Sequence, residues 1–593
     1  MPKKTGQNVT VTVSPPQATL GTFGKQTFSA TVTGSTNTAV TWQVNGVTGG
    51  AAATGIISAS GAYSAPHSIA GSIMPANPNN PVTVTVTAVS QANTAATSIV
   101  TVTLVPQGQN AESGAVELGT SGGNIHASST SGNTITCCGG TLGSLIVNNG
   151  TDYILSNNHV LANSDAGTIG DAITQPGLID AQCQTTGTAT VANLSQFLTL
   201  ENNPPNPIDA AIAQIVSGKV DTSGNILLLG ATTDANGVPV PGPPEAGPGE
   251  AAAVGLAVAK SGRTTGLTCS TVDSISAAFS VQYQKGCGTG AMFTLNYTGQ
   301  ISVLGGGFSN EGDSGSLIVR QDTANAVALL FAGSDTDAVG NPIGAVLNAF
   351  ATNNGVPTIV GGAAHQVIGC TLPLQGATRT TQASVAVSAE AMQAAQAARD
   401  ANAPKLLSIA GVRGVSIGSS LDYPGQAALL LFVDPGTPRS SLPAQVDGVR
   451  TRIVETSNEA ARGILSAEDA QALAPEQPNF AVTGLSEAEL ARGKAAQAAH
   501  VEEWMRQPGV QGFGVTSSAD SPGEAALMIF LIRGAPHNAI PVEIDGLRTR
   551  VRESSRFHAG LDGLRPHAGC SVPPSKTASF RNASSAQAQQ THP

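Results

Sequence analysis

The chain has 593 residues, 69 of them glycine, with 11% charged and 4% aromatic residues and a formal net charge of −11. That length predicts several domains, and the abundance of Gly, Thr, Ser, Val and Ala is that of a secreted β-rich protein, not of a disordered or membrane-embedded one. The acidic balance and the lack of any Lys/Arg cluster exclude a protein that tracks nucleic-acid phosphates, and no run of about 18 apolar residues predicts a membrane span.

Residues 1–108 alternate with period two at Val9-Val11-Val13, Phe28-Ala30-Val32, Val82-Val84-Val86 and Val100-Val102-Leu104. Short strands of this kind between Gly/Asn/Pro turns predict a β-sandwich, with Trp42 as its core aromatic. Together with Ser60-Gly61-Ala62-Tyr63-Ser64-Ala65-Pro66, the segment resembles bacterial Ig-like domains. The resemblance implies a spacer or adhesion unit. The start Met1-Pro2-Lys3-Lys4 is basic but passes into the first strand without the apolar core of a signal peptide.

The segment 109–375 carries the candidate chemistry. In Glu311-Gly312-Asp313-Ser314-Gly315-Ser316-Leu317 a serine stands between glycines and before an apolar strand. Such a turn exposes a hydroxyl, and its glycines let a carbonyl approach the amides of Gly312 and Ser314. A serine hydroxyl is a poor nucleophile without a base and a group that orients the base. Most of the nine histidines sit poorly for that role: His67 follows a proline, His500 lies in an Ala-rich helical run and His592 near the terminus. His159 ends the strand-like Tyr153-Ile154-Leu155-Ser156-Asn157-Asn158, and Asp209 opens an apolar run after Asn206-Pro207-Ile208. A carboxylate buried there needs a partner, which an imidazole supplies.

The order His159, Asp209, Ser314, with gaps of 50 and 105 residues, resembles the chymotrypsin/trypsin-like serine peptidases over residues 110–370. Gly143-Ser144-Leu145-Ile146-Val147 ahead of the histidine and Gly312-Asp313-Ser314-Gly315 add to the likeness. Lys260–Thr268, Leu329–Ser334 and Asn341–Ile343 resemble a bacterial branch of that family with plant relatives of the narrow-leaf type. An α/β-hydrolase is disfavoured by Ser316, where its elbow needs glycine, and by the triad order. The resemblance implies two β-barrels, a catalytic triad of His159, Asp209 and Ser314, an oxyanion hole formed by the amides of Gly312 and Ser314, and no metal or cofactor. It also places Phe308, six residues before Ser314, at the base of the primary specificity pocket, which favours small or apolar side chains. Val160 stands where secreted animal members carry a cysteine, and no Ile-Val-Gly-Gly activation site is present, so Asp313 is expected to find its partner internally.

Seven cysteines cannot all pair within one chain. Cys269 with Cys287, and Cys137 or Cys138 with Cys183, are the expected bridges of an exported protein; seven free thiols in a reducing compartment are the alternative.

Beyond the peptidase-like segment the chain repeats itself at an offset of 98 residues. Gly411-Val412-Arg413-Gly414-Val415 matches Gly509-Val510-Gln511-Gly512-Phe513, Pro424-Gly425 matches Pro522-Gly523, and Asp447–Arg452 matches Asp545–Arg550. Two α+β modules, 386–460 and 484–560, are predicted. Each has a helix (386–403 and 486–506), an apolar strand (427–433 and 525–532) and a strand entered through Asp-Gly. The pairs Arg450/Arg452 and Arg548/Arg550 each share one strand face, expected to be solvated, with binding of an acidic peptide or of the peptidase surface as the sharper reading. Residues 571–593, rich in Ser, Ala and Gln, are predicted to be a disordered tail.

The fold expected is therefore mainly β and multidomain, and the function a serine endopeptidase acting on protein or peptide substrates outside the cell or at its surface, with cell-surface or self contacts through the flanking modules. Two rivals remain: a catalytically silent surface-binding protein that uses the peptidase-like domain as scaffold, and a peptidase restricted to self-processing.

Overall fold

The computed structural model describes residues 9–559 apart from 22–23, 52–53, 67–81, 106, 113, 132–133, 201–206, 235–237, 289, 306, 354, 371–386 and 456–483. The expected tail 571–593, together with Cys570, lies outside the described residues. Within them the chain is mainly β and built of several units.

In the N-terminal unit Val82–Ser90 and Thr97–Val105 pair antiparallel, flanked by Val40–Val44 and Gln17–Gly21. Thr10–Ser14 pairs with Ser29–Thr33, and Ala62–Ser64 with Lys25–Thr27 and Gly55–Ile57. The period-two valines do what alternation requires: Val84, Val86 and Val102 turn inward with Phe28, Tyr63 and Trp42, while the threonines between them largely face water. Trp42 is buried in this core, as its position predicts, alongside Phe28 and Tyr63.

Two curled sheets follow. The first orders Gly140–Leu142, Thr120–Asn124, Ala172–Gln175, Ala189–Phe197, Ala211–Ile215, Thr151–Ser156, Ser144–Asn148 and Thr358–Ile359. In the second, Ala257–Gly262, Gly266–Gln284, Met292–Leu304, Asp337–Pro342, Ala326–Gly333 and Leu317–Arg320 pair in turn, and the last returns to the first. Closing these six strands on themselves leaves none of them as a bare edge. The 19-residue strand Gly266–Gln284 dominates this arrangement.

That strand corrects the expected cysteine pairing. Cys269 stands near its start and Cys287 beyond its end, with roughly 50 Å of strand between them at about 3.3 Å per residue, so they do not meet. The disulfides are Cys137–Cys183, as one of the expected alternatives had it, then Cys138–Cys287 and Cys269–Cys370. The second of these ties the first sheet to the far end of the long strand.

The two C-terminal segments share one element order. Ser388 and Ser486 cap the helices Ala389–Leu407 and Glu487–Met505 through the amides of Ala391 and Glu489. The apolar strands are Ala427–Val433 and Ala525–Ile532, and the strands entered through Asp-Gly are Val449–Glu455 and Leu547–Ser554. In each segment the apolar strand lies between its hairpin partner and the Asp-Gly strand, the latter pairing being parallel.

The segments face each other across a pseudo-two-fold axis. Arg450 donates to the carbonyl and hydroxyl of Thr549 at 2.7 and 2.8 Å, and Arg548 donates to those of Thr451 at 2.7 and 3.0 Å. Asp520 accepts from Leu421 N and the Ser420 hydroxyl, while Asp422 accepts from Ala519 N and the Ser518 hydroxyl. Each of these contacts is repeated at the 98-residue offset, as an isologous interface requires. The expected solvated arginine face is therefore wrong for three of the four: Arg450, Arg548 and Arg550 are 1%, 4% and 3% exposed. Strand alternation puts the arginines of each pair on one face: Arg450 and Arg548 reach across to Thr549 and Thr451, while Arg550 donates to the Ser517 carbonyl and lies 3.6 Å from Asp273 of the ring strand.

The second segment is also fused to the closed ring. Its strand Val510–Ser517 pairs with Gly266–Gln284, and Phe557–His558 pairs with the same strand and with Ala326–Gly333. Phe279, Phe530 and Phe557 pack ring against ring at this seam, and Arg552 there meets Asp337 and, at 2.9 Å, Asp273.

The symmetric interface carries a pH dependence. Burial first, then the Asp422 charge, pushes the Asp520 carboxyl up to about 6, against the pull of Arg548. Its value in the docked state lies above the ordinary aspartate value of about 4. Its contribution therefore favours docking at low pH and is lost as pH rises through about 6. Protection factors of the Leu421 and Ala519 amides are expected to fall between about pH 4 and about pH 6, and to lose that trend in Asp520→Asn. A flat wild-type profile would contradict the assignment.

Candidate active site

Strand register brings His159 and Asp209 together. Thr151–Ser156 pairs with Ala211–Ile215 so that Ser156 faces Ala211. Asn157, just past one strand end, and Asp209, two positions before the other strand begins, are then neighbours, and the Asn157 amide donates to the Asp209 carbonyl at 2.7 Å. The chain next enters the short helix Asn158–Leu161, which turns the His159 ring back over Asp209. His159 Nδ1 lies 2.5 Å from Asp209 Oδ2, with side chains 4% and 0% exposed. The carboxylate selects the Nδ1–H tautomer, which leaves Nε2 as a base. That Nε2 is buried and, among the described residues, has no hydrogen-bond partner. A left-handed run, Asn163, Ser164 and Asp165, ends the helix. The Asn158 amide fixes it by donating to Asp165 at 2.6 Å.

Tyr283 is a second donor to the same carboxylate. Its hydroxyl lies 2.9 Å from Asp209 Oδ2, its ring meets His159 edge-on at 6.0 Å, and it hydrogen-bonds Tyr297 in turn. Burial, then the Asp209 charge, holds the Tyr283 phenol well above its ordinary range, so it is a donor at any working pH. Sequence reasoning missed both tyrosines. The available signal was an i, i+2 relation on the long strand, Tyr283 alternating with Val281 and Phe279, but nothing local says which face meets Asp209.

Ser314 stands on a turn leading into Leu317–Arg320. Gly312 and Gly315 have φ of +89° and +94°, which side chains rarely tolerate. A Cβ on Gly315 would lie 2.1 Å from Ser156 Oγ, so only glycine lets the turn dock against the strand that leads to His159. Thr141 locks the docking: its amide donates to the Ser314 carbonyl at 2.8 Å and its hydroxyl to the Gly312 carbonyl at 2.9 Å. Among the described residues, the amides of Asp313, Gly315 and Ser316 find acceptors within the protein, whereas those of Gly312 and Ser314 have none. Two open amides with one closed between them are donors available to an anionic oxygen. No hydrogen bond joins the Ser314 hydroxyl to His159, a gap that unliganded sites often show.

Asp313, fully buried, finds its partner internally as expected. Thr264 N and Thr265 N donate to Oδ1 at 2.8 and 3.1 Å, and the Thr265 hydroxyl and Asn310 N to Oδ2 at 2.7 and 2.9 Å. Lys260 Nζ, 0% exposed, stands 3.4 Å away. Burial lowers the Lys260 ammonium, and the Asp313 charge opposes that shift. Beside it Arg263 holds Asp180, in the turn that follows Ala172–Gln175 of the first sheet, through two bonds of 2.6 Å. Phe308 is 3% exposed within the second sheet's core, with its carbonyl accepting from Thr268 at 2.6 Å and Lys260 Nζ 6.0 Å from its ring. Among the described residues no three His, Cys, Asp or Glu side chains converge as a metal site requires, and no helix is long and apolar enough to cross a membrane.

No protein-family model matches this chain, and no curated protein matches its sequence. The site is therefore read from its own geometry.

The Lys260–Asp313 pair generates a stability test. Lys260→Met leaves a buried carboxylate without its cation and is expected to cost about 3–5 kcal/mol in urea unfolding. Lys260→Met with Asp313→Asn should recover most of that loss, and equal stabilities of the single and double variants would show that Asp313 does not depend on the ammonium.

Proposed function

We propose that the chain is a serine endopeptidase of the chymotrypsin/trypsin-like kind, with Ser314 as nucleophile, His159 as general base and Asp209 as the group that orients the base. The observation that carries this reading is the buried His159–Asp209 bond, which leaves Nε2 as an orphaned acceptor. In the proposed reaction Nε2 takes the Ser314 proton as the hydroxyl attacks a peptide carbonyl. The amides of Gly312 and Ser314 receive the oxyanion, and Nε2 returns the proton to the leaving amine. Water, activated by the same base, then cleaves the acyl-enzyme. Asp209 stays ionised and stabilises the imidazolium, with the Tyr283 hydroxyl holding the carboxylate in place.

An apolar floor at Phe308 supports a preference for small or apolar side chains before the scissile bond. Because Asp313 already has Lys260 and the two threonines, the site needs no liberated amino terminus to order its turn. Three disulfides support action outside the cell or at its surface. In this reading the N-terminal sandwich is an Ig-like spacer, and the two C-terminal segments are copies of one module.

Ser314→Ala is expected to reduce hydrolysis of an unfolded protein substrate by roughly 10⁴-fold or more with the thermal midpoint unchanged, and to abolish labelling by a fluorophosphonate. Undiminished turnover or labelling would overturn the assignment. Tyr283→Phe removes one of two side-chain donors to Asp209 and is expected to lower kcat by about tenfold with KM preserved.

A further inference from the structure

The last residues of the long strand Gly266–Gln284 are held from both edges. On one side Phe279, Val281 and Tyr283 stand opposite Tyr297, Leu295 and Phe293. On the other the second C-terminal segment fills the edge. Val510–Ser517 reaches as far as Phe279, opposite Gly512, and the two-residue strand Phe557–His558 then takes over, with Phe557 beside Val281 and His558 beside Gln282. The Ala559 amide donates to the Gln282 carbonyl at 2.9 Å. Tyr283, whose hydroxyl reaches Asp209, is the next residue.

Side chains alternate along a strand, so Phe279, Val281 and Tyr283 share one face. All three belong to one buried cluster with Tyr297, Phe530 and Phe557. Phe557 is 0% exposed and meets the Phe279 ring edge-on at 4.9 Å, while Phe293 stacks on Tyr283 at 5.4 Å. The phenol moves with the strand that carries it, and its 2.9 Å bond to Asp209 tolerates little displacement. A brace on residues 281 and 282 is therefore a brace on that bond.

Phe557 is itself placed by its own segment. Gln511 accepts from the Phe557 amide at 3.3 Å and donates to the Ser555 carbonyl at 3.0 Å, and Asp335 accepts from the Ser555 amide at 2.8 Å. At the 98-residue offset Arg413 stands for Gln511 and Glu459 for Phe557. The first segment forms the same helix and strands without that pair, so the shared fold does not call for it. The contacts of Phe557 run instead to the strand of Tyr283.

We propose that Phe557 is a positioning residue of the catalytic site, bracing the end of Gly266–Gln284 so that the Tyr283 hydroxyl stays on Asp209. The second C-terminal segment is then part of the catalytic unit. This inference rests on the serine-peptidase reading above and adds to it a dependence on a residue far along the chain.

The test is a double-mutant cycle in the full chain, with kcat and KM measured on an unfolded protein substrate well below each variant's thermal midpoint. Phe557→Leu and Phe557→Ala are expected to lower kcat by about threefold and about tenfold with KM preserved, the larger side chain recovering most of the activity. In the Tyr283→Phe background, where the bond is already absent, either substitution should change kcat by less than about twofold. Phe557→Leu carries the cycle should Phe557→Ala not fold. A one-dimensional proton spectrum gives a readout that needs no turnover: the low-field resonance of the His159–Asp209 hydrogen bond should shift in the Phe557 variants as it does in Tyr283→Phe. Wild-type kcat in both Phe557 variants, losses that multiply in the double variants, or a low-field resonance that neither Phe557 variant moves would overturn the proposal. A wild-type chain that neither hydrolyses substrate nor takes up a fluorophosphonate would instead overturn the serine-peptidase reading, and the low-field resonance would still report whether Phe557 holds Tyr283 on Asp209.

Discussion

An aspartate removed from water costs several kcal/mol unless donors or cations replace its hydration, and this chain buries six among its described residues: Asp209, Asp273, Asp313, Asp337, Asp422 and Asp520. In each case the replacement comes from a distant part of the sequence. Asp209 takes His159 and Tyr283, Asp313 takes Lys260 and the threonines at 264 and 265, and Asp273 and Asp337 share Arg552. Asp422 and Asp520 exchange serine hydroxyls and amides across the symmetric interface. Misplacing one sheet against another would strand a carboxylate, so these contacts define a single arrangement as well as adding to its stability.

Two of the six organise the candidate active site. Asp313 and its donors hold the turn on which Gly312 and Ser314 keep their amides open, and Thr141 pins that turn to the first sheet. Asp209, gripped from the other side by a phenol on the long strand Gly266–Gln284, sets the tautomer of His159. The base thus belongs to one sheet, the turn to the other, and the orienting contacts cross between them. Rigid strands are a better support for such geometry than loops, because a shift of about 1 Å is enough to spoil it.

The C-terminal segments show one sequence pattern meeting two environments. In both, Ser-capped helices pack on apolar strands, and a residue on the helix reaches the Asp-Gly turn: Asn402 to Asp447 at 2.6 Å, His500 to Asp545 at 2.8 Å. The outer edges differ. One is covered by the ring strand and carries Phe513 and Gln511 buried; the other carries the exposed Arg413. Segments that fold alike differ here in what they touch, and the residues that differ include those at the edge.

Much of this was legible in the sequence. Period-two valines placed the N-terminal strands and Trp42, the offset of 98 placed both late helices to within a few residues and the apolar strands to the residue, and the turn chemistry of residues 311–317 and the strand-like stretch leading to His159 marked the candidate site. These features are local: strand alternation, helix capping and turn glycines depend on neighbours within a few positions. The identity of the partner across a sheet or an interface is not local. Only tertiary structure decided that Cys287 bonds Cys138 and not Cys269, that Arg450 and Arg548 are buried, and that Tyr283 and Lys260 serve the two aspartates of the site. Each of these follows from strand order and register, which bring together residues from dozens to about a hundred and fifty positions apart, and no periodicity in the chain records them.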